Sequence, residues 1–137
     1  MKRVTRSLRI RSDMKNLRII ENAVDEITNL LGIKQENYGK ILVAVLEAVN
    51  NAITHGNKAD LKKFVDVRIK VERNEMEITV TDEGEGFNPA DIPDPTSPEN
   101  IEEISGRGVF LMTRLADSIL FNETGNSVTM KFREVTA

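Results

Sequence analysis

The stretch "FVDVRIKVERNEMEITVTD", Phe64 to Asp82, decides the fold, because it alternates apolar and polar residues on both sides of a short turn. Apolar residues at every second position indicate strands that pack on one face only. The apolar positions are Val65, Val67, Ile69, Val71, Met76, Ile78 and Val80. We therefore expect an antiparallel hairpin that turns near Asn74 and buries one of its faces.

Two amphipathic helices are expected before this hairpin. The first follows a cap at Ser12 or Asp13 and ends at Gly32, with apolar residues at helical spacing between them. The second extends from about Gln35 to Thr54, where "HGNKAD" ends it.

The two ends of the chain complete the sheet. The start, "VTRSLRIRS", also alternates and predicts a strand at a sheet edge, where arginine discourages mispairing. A helix from about Gly108 to Ala116 should precede a last hairpin, "DSILFNETGNSVTMKF", that turns at residues 124–126. This order is not regular βαβ alternation. It predicts one domain over residues 1–137, an α/β two-layer sandwich with a mixed, mostly antiparallel sheet and helices on a single face.

Composition limits the possible functions. The 137 residues carry a net charge of −3 and give no indication of bulk nucleic-acid or anionic-membrane binding. The absence of cysteine excludes disulfides, thiolate metal sites and a cysteine nucleophile. The apolar runs are too short to span a bilayer, and the basic start lacks the apolar core of a secretory signal. We expect a cytoplasmic protein.

The first of three polar motifs is "EAVNNAITHG", Glu47 to Gly56, in the second helix. Glu47, Asn51 and His55 are spaced to share one helix face, roughly opposite the apolar one. Such a face can simply be solvated. However, asparagine inside a helix costs roughly half a kcal/mol relative to alanine, so it is a poor filler. A zinc site is not indicated, because the chain has one histidine and no cysteine.

The second motif is "DEGEGF", Asp82 to Phe87, directly after a strand. Asp82 would point a carboxylate into a pocket beside the sheet, and Gly84 and Gly86 would allow a sharp turn or a close approach to a ligand. An ordinary acidic turn is the alternative. A calcium loop does not match, since the alternating oxygen ligands are missing.

The third motif is "SGRGVFLM", Ser105 to Met112. Gly106 and Gly108 stand just before a predicted helix, whose free N–H groups and dipole favour an anion such as phosphate. Many such glycine pairs are only flexible helix starts. The motif is neither a P-loop nor a dinucleotide fingerprint, and no serine sits in a nucleophile elbow.

In this order the three motifs resemble the N box and the two glycine boxes of the ATPase superfamily of gyrase, the ninety-kilodalton heat-shock chaperone, histidine kinases and MutL. The resemblance covers nearly the whole chain and implies a Bergerat-type ATP-binding fold, here a single histidine-kinase-like ATPase domain. Within that superfamily the chain is most similar to the stand-alone anti-sigma-factor serine kinases. The ending "NAITHG", with His55 as a marker of the subfamily, supports this placement.

The resemblance implies a role for individual residues. Glu47 would be the general base that takes the proton from the attacking hydroxyl. Asn51 would coordinate the Mg²⁺ that bridges the phosphates of ATP. Asp82 would accept a hydrogen bond from the adenine amino group, beside Gly84. Thr129 matches a position where the family often has a hydroxyl near adenine.

The remaining implied roles fall on the two glycine boxes. Gly86 would let the loop pass close to the adenine base. Gly106 and Gly108 would offer backbone N–H groups to the phosphates, and Arg107 would add positive charge there. Residues 88–105 would form a mobile lid.

Two functions of different classes follow. The first is an anti-sigma factor that binds a sigma factor, works as a homodimer and phosphorylates an anti-anti-sigma protein on serine or threonine. The second is an ATP-binding partner-switching module that transfers little or no phosphate. Glu47 favours the kinase, because nucleotide binding alone needs no base. An ATP-binding subunit that works beside a separate histidine-bearing protein fits the residues less well.

Overall fold

The computed structural model describes residues 3–84, 112–122 and 124–136. Its elements follow the order β1 (Val4–Arg11), α1 (Leu17–Leu31), α2 (Gln35–Asn51), β2 (Phe64–Glu72), β3 (Glu75–Thr81), β4 (Ser118–Phe121) and β5 (Ser127–Arg133). The strands form an antiparallel sheet in the order β1-β2-β3-β5-β4. The helices pack on one face of it, which confirms the expected two-layer α/β architecture.

The β2–β3 hairpin has the register that its alternation predicts. Its seven inward-facing apolar side chains are each at most 2% exposed, and Glu72 pairs with Glu75 across a two-residue turn. Both turn residues, Arg73 and Asn74, have positive φ angles of 54° and 63°. Turns of that hand match the right-handed twist of paired strands. The hairpin is therefore fixed both by its buried face and by its turn.

The two helices begin and end close to the predicted positions. The Asp13 carboxylate accepts a hydrogen bond from the backbone N–H of Lys15, and a short 3-10 turn leads into α1. Gly32 ends α1 with a φ of 63°, a left-handed conformation that suits glycine. The helices supply the side of the core that faces the sheet, mainly through Ile20, Val24, Ile27, Ile41, Val45 and Val49.

The face of the sheet that is turned away from the helices is mainly polar. Arg9 on the edge strand β1 binds Asp66 with a distance of 2.7 Å between Nε and Oδ1. The hydroxyls of Thr79 and Thr129 are 3.0 Å apart on β3 and β5. The edge position of β1 and its outward-facing arginines agree with the sequence prediction.

The segment 134–136, which the sequence patterns did not reveal as structured, connects both layers. The Val135 side chain is fully buried, and its carbonyl accepts a hydrogen bond of 3.0 Å from the N–H of Lys34. Thr136 forms a bridge with Ile33 and donates its N–H to Asn74 Oδ1 at 2.9 Å. The segment thus links the α1–α2 connection to the β2–β3 turn.

Only the end of the third predicted helix can be compared. Residues 112–115 are helical, and Met112 is buried in the core. The start of that helix, at Gly108, lies outside the described residues. Among the described residues, no helix combines the length and the apolar character needed to cross a membrane.

Candidate functional site

The carboxyl-terminal half of α2 places Glu47 and Asn51 one turn apart, beside the buried face of the helix. Both residues are half-buried, and the neighbouring Ala44 and Ala48 are at most 2% exposed. These two residues of the stripe are therefore partly shielded from solvent and are not on a fully solvated face. Asn51 follows Ala44 by seven residues, and that spacing brings a side chain back to the same side of a helix. Glu47 and Asn51 thus lie at the border of the buried face, where a ligand could be held.

Asn51 carries a buried polar atom without a partner. Its Oδ1 is inaccessible to solvent and accepts no hydrogen bond from any described residue. A buried acceptor left unpaired costs about 1–3 kcal/mol, so such atoms are uncommon in folded proteins. The neighbouring Asn50 differs, because its Oδ1 accepts a hydrogen bond of 3.1 Å from the hydroxyl of Thr54. Of these two asparagines, only Asn51 has a buried side-chain oxygen that lacks a hydrogen-bond partner among the described residues.

A π-helical turn, Ala52–Gly56, follows α2 directly. The N–H of Asn57 closes this turn on the carbonyl of Ala52 at 2.8 Å. Such turns are rare and often occur at functional sites. The sequence predicted an ordinary helix to Thr54, with His55 on the stripe of Glu47. The changed turn breaks that spacing, and His55 is exposed.

Past this turn, the end of α2 touches the Asp82 motif so closely that two glycines are required. A Cβ on Gly84 would lie 2.0 Å from the Gly56 carbonyl oxygen, and a Cβ on Gly56 would lie 2.3 Å from Asp82 Oδ2. Neither glycine has a positive φ, so space and not backbone conformation excludes a side chain. The contact fixes the first two predicted motifs against each other.

Asp82 lies just after β3 and shares the sheet face of Val80, which is turned toward the helices. The N–H of Gly84 donates to Asp82 Oδ1 at 2.8 Å. Burial raises the pKa of the Asp82 carboxyl, and the Gly84 N–H and the charge of Lys63 oppose the rise in part. This half-buried carboxyl can accept a hydrogen bond in a partly desolvated environment.

The raised pKa of Asp82 predicts the sign of a pH effect on stability. Between the ordinary and the raised pKa the folded protein binds more protons than the unfolded chain, so the free energy of unfolding should fall as pH rises. Asp82→Asn keeps the shape but does not titrate. Urea unfolding at several pH values should show that the unchanged protein loses stability relative to Asp82→Asn as pH increases. A difference that is constant or grows with pH would contradict the assignment.

Thr129 is not brought to the site. Its hydroxyl faces away from the helices and pairs with Thr79, whereas Asp82 is on the helix side. The adjacent Val128 pairs with Val80 and faces the helices. On this strand Val128, and not Thr129, points to the side on which Asp82 lies.

Two residues of the site were missed because their roles depend on distant segments. Asn57 is a fully buried polar residue that donates and accepts hydrogen bonds across three segments. Asn126 exchanges hydrogen bonds with the backbone of Asp82, at 2.9 Å from its carbonyl to the Asp82 N–H and at 3.2 Å from its Nδ2 to the Asp82 carbonyl. The only sequence signal was that Asn57 directly follows the first motif and that Asn126 lies in the predicted turn at residues 124–126.

Four predicted site residues, Gly86, Gly106, Arg107 and Gly108, lie outside the described residues, as does the proposed lid 88–105. Their roles stay predictions. Among the described residues, no group of three or more histidine, aspartate or glutamate side chains could hold a metal ion.

Comparisons with known proteins point in one direction. A family described as the histidine kinase-like ATPase domain matches residues 10–132. The serine-protein kinase RsbW of Bacillus licheniformis is 32% identical over 142 aligned positions, which cover 95% of this chain and 87% of that protein. An anti-sigma F factor of Clostridium perfringens is 36% identical over 102 positions, covering 70% of this chain and 72% of its own.

A solved structure supports the fold independently. The crystal structure of the RsbU and RsbW domains of a Mycobacterium tuberculosis protein superposes with a TM-score of 0.69, covering 95% of this chain and 32% of the other. The sequence identity is 16%, so this likeness concerns the arrangement of helices and strands.

Proposed function

This chain belongs to the histidine kinase-like ATPase domain family, and from that premise we propose that it is an ATP-dependent protein-serine kinase that acts as an anti-sigma factor. Relatives named serine-protein kinase RsbW and anti-sigma F factor support both activities. The observation that carries the proposal is the unpaired, buried Oδ1 of Asn51, one turn from Glu47 on a helix whose end packs on Asp82.

Glu47, Asn51 and Asp82 would contact different parts of ATP along one elongated site. Gly56, which contacts Asp82, follows Glu47 by nine residues, or about two helical turns. We assign the adenine end to Asp82, whose Oδ2 receives no hydrogen bond from the described residues, and the phosphate end to Glu47 and Asn51. Gly86, Gly106, Arg107 and Gly108 are proposed to complete the adenine and phosphate contacts.

Magnesium fits this donor set. An amide oxygen is a hard ligand of the kind that Mg²⁺ accepts, and Mg²⁺ in phosphate sites often has only one or two protein ligands. We propose Asn51 Oδ1 as that ligand, because it is buried and unpaired. When bound, the ion would neutralise charge on the phosphates during transfer.

Glu47 is proposed to act on the acceptor. Phosphoryl transfer asks a protein mainly to position the reactants and to orient the nucleophile with a base. A carboxylate at Glu47 can accept the proton of a serine hydroxyl as that oxygen attacks. Nucleotide binding alone would not need this group.

Asn51→Ala is expected to make the ligand-free protein more stable and to weaken Mg-ATP binding. The substitution removes an unpaired buried oxygen and a poor helix former, so the free energy of unfolding should rise by about 1 kcal/mol. Asn50→Ala is the matched control: it gives the same gain in helix propensity but removes an oxygen that accepts a hydrogen bond from Thr54, so it should stabilise the protein less. Urea unfolding and calorimetry with and without Mg²⁺ measure both effects. Unchanged Mg-ATP affinity in Asn51→Ala would refute the ligand assignment.

A sigma factor is the partner that the relatives' names support. We extend the proposal to an anti-anti-sigma protein as the phosphate acceptor, to a homodimer that holds the sigma factor across both subunits, and to a cytoplasmic location. These finer features rest on the resemblance of the motifs.

The test is direct transfer. The protein is incubated with Mg-ATP and with small candidate acceptor proteins encoded by neighbouring genes, and phosphate on serine or threonine is detected by mass spectrometry. We expect phosphate transfer to one acceptor, and we expect this chain to capture a sigma factor. ATP binding without transfer to any candidate would favour the partner-switching module instead.

A further inference from the structure

Asn57 stands immediately after the π-helical turn and is fully buried. Its Nδ2 donates to Ser12 Oγ at 2.8 Å and to the Phe64 carbonyl at 2.9 Å. Its Oδ1 accepts the backbone N–H of Glu83 at 2.7 Å. A side-chain amide has two N–H donors, so both are used. One side chain thus joins the end of β1, the start of β2 and the turn that carries Asp82.

This network holds Asp82 from the helix side. On the sheet side, the backbone N–H and carbonyl of Asp82 are bonded to Asn126. On the other side, Asn57 binds the next residue, Glu83, to the end of α2. Fully satisfied buried networks rigidify the groups they join. Asn57 therefore helps to hold the end of α2 at a fixed distance from the sheet, together with the close contact between Gly56 and Gly84.

We propose that Asn57 is a positioning residue that fixes Asp82 relative to the Glu47 and Asn51 end of α2, and so determines the preference for adenine. Asn57 has no exposed atom surface to offer a nucleotide. It acts through Asp82. The inference rests on the proposed adenine role of Asp82, although it needs no phosphate transfer.

Ser12 provides a matched control within the same network. Its hydroxyl donates to the Lys63 carbonyl at 2.9 Å and accepts from Asn57. Ser12 makes no hydrogen bond to the turn at residues 82–84. Ser12→Ala should therefore disturb the same buried region while leaving the bond between Asn57 and Glu83 in place.

The experiment compares Asn57→Ala and Ser12→Ala by two measurements that do not depend on kinase activity. Calorimetry with ATP and with GTP gives affinity and base preference, and hydrogen exchange reports protection of the Glu83 amide. We expect Asn57→Ala to lose about tenfold in ATP affinity, with little change for GTP, and to lose Glu83 protection. Ser12→Ala should change neither quantity, although its melting temperature should fall.

Asn57→Asp keeps the proposal testable if the alanine variant fails to fold. It retains the oxygen that Glu83 requires, and burial favours the protonated carboxyl, whose O–H can still donate to the Phe64 carbonyl, so Glu83 protection and adenine preference should persist. Low temperature and an osmolyte would support folding of either variant. Adenine preference retained in a variant whose Glu83 amide has lost protection would overturn the proposal. If the unchanged protein does not bind ATP, the proposed function fails. Protection of the Glu83 amide still reports the contact with Asn57 in that case.

Discussion

Glu47→Gln should lower the rate of phosphate transfer to the acceptor by about 10²–10⁴-fold, the range typical of a lost general base. Glutamine keeps the size of the side chain and its place on α2, but it cannot take a proton at neutral pH. ATP affinity should change little, because Asn51 and Asp82 remain. Single-turnover transfer, followed by mass spectrometry of the acceptor, separates the chemical step from binding.

Glu36→Gln is the matched control, since Glu36 is exposed in the first turn of the same helix and its loss changes the net charge equally. That variant should transfer phosphate at the rate of the unchanged protein. If Glu47→Gln also transfers at that rate, Glu47 is not the base. If it no longer binds ATP, the residue has a role in nucleotide binding that our assignment does not include.

Gly84→Ala should weaken ATP binding by about 10²-fold. The added Cβ would lie 2.0 Å from the Gly56 carbonyl oxygen, which is backbone and cannot turn aside. Either the end of α2 or the Asp82 turn must therefore move. Overpacking of this kind costs about 1–3 kcal/mol, so the free energy of unfolding should also fall.

Gly39→Ala supplies the control for this substitution. Gly39 lies in α2, and a Cβ there would meet nothing within 4 Å. Because alanine is favoured over glycine inside a helix, this variant should be more stable by up to about 1 kcal/mol. Its ATP affinity should not change. Normal ATP affinity in Gly84→Ala would show that the close contact between the two motifs is not needed for binding.

The parts of the fold that follow from local patterns were predictable. The alternation in residues 64–82 determined which side chains of β2 and β3 are buried, and Asp13 and Gly32 marked the ends of the first helical region. The same rule could have excluded Thr129, because Val128, Met130 and Phe132 already occupy the inward-facing positions of β5. At this strand the motif resemblance points to Thr129, whereas the strand alternation points to Val128.

Other features depend on contacts between distant segments and could not be predicted from spacing. The π-helical turn shifts the residues after Asn51, so an ideal helix misplaces His55. The burial of Asn57 depends on three other segments, of which only one is adjacent to it in the sequence. In the sequence Gly56 and Gly84 resemble ordinary helix-ending and turn residues, and only the packing of the two motifs shows that both positions lack space for a side chain.

The bridge between Ile33 and Thr136 has a consequence for how the chain folds. It joins residues that are far apart in sequence. The strand β1 likewise pairs only after β2 has been synthesised, because Val4 lies opposite Val71. Contacts of such long range make folding slow, because the intervening loop must close before they contribute. During synthesis the α1–α2 connection cannot be locked until the last described residues have left the ribosome. Until then the growing chain exposes apolar helix and strand faces that a chaperone could cover.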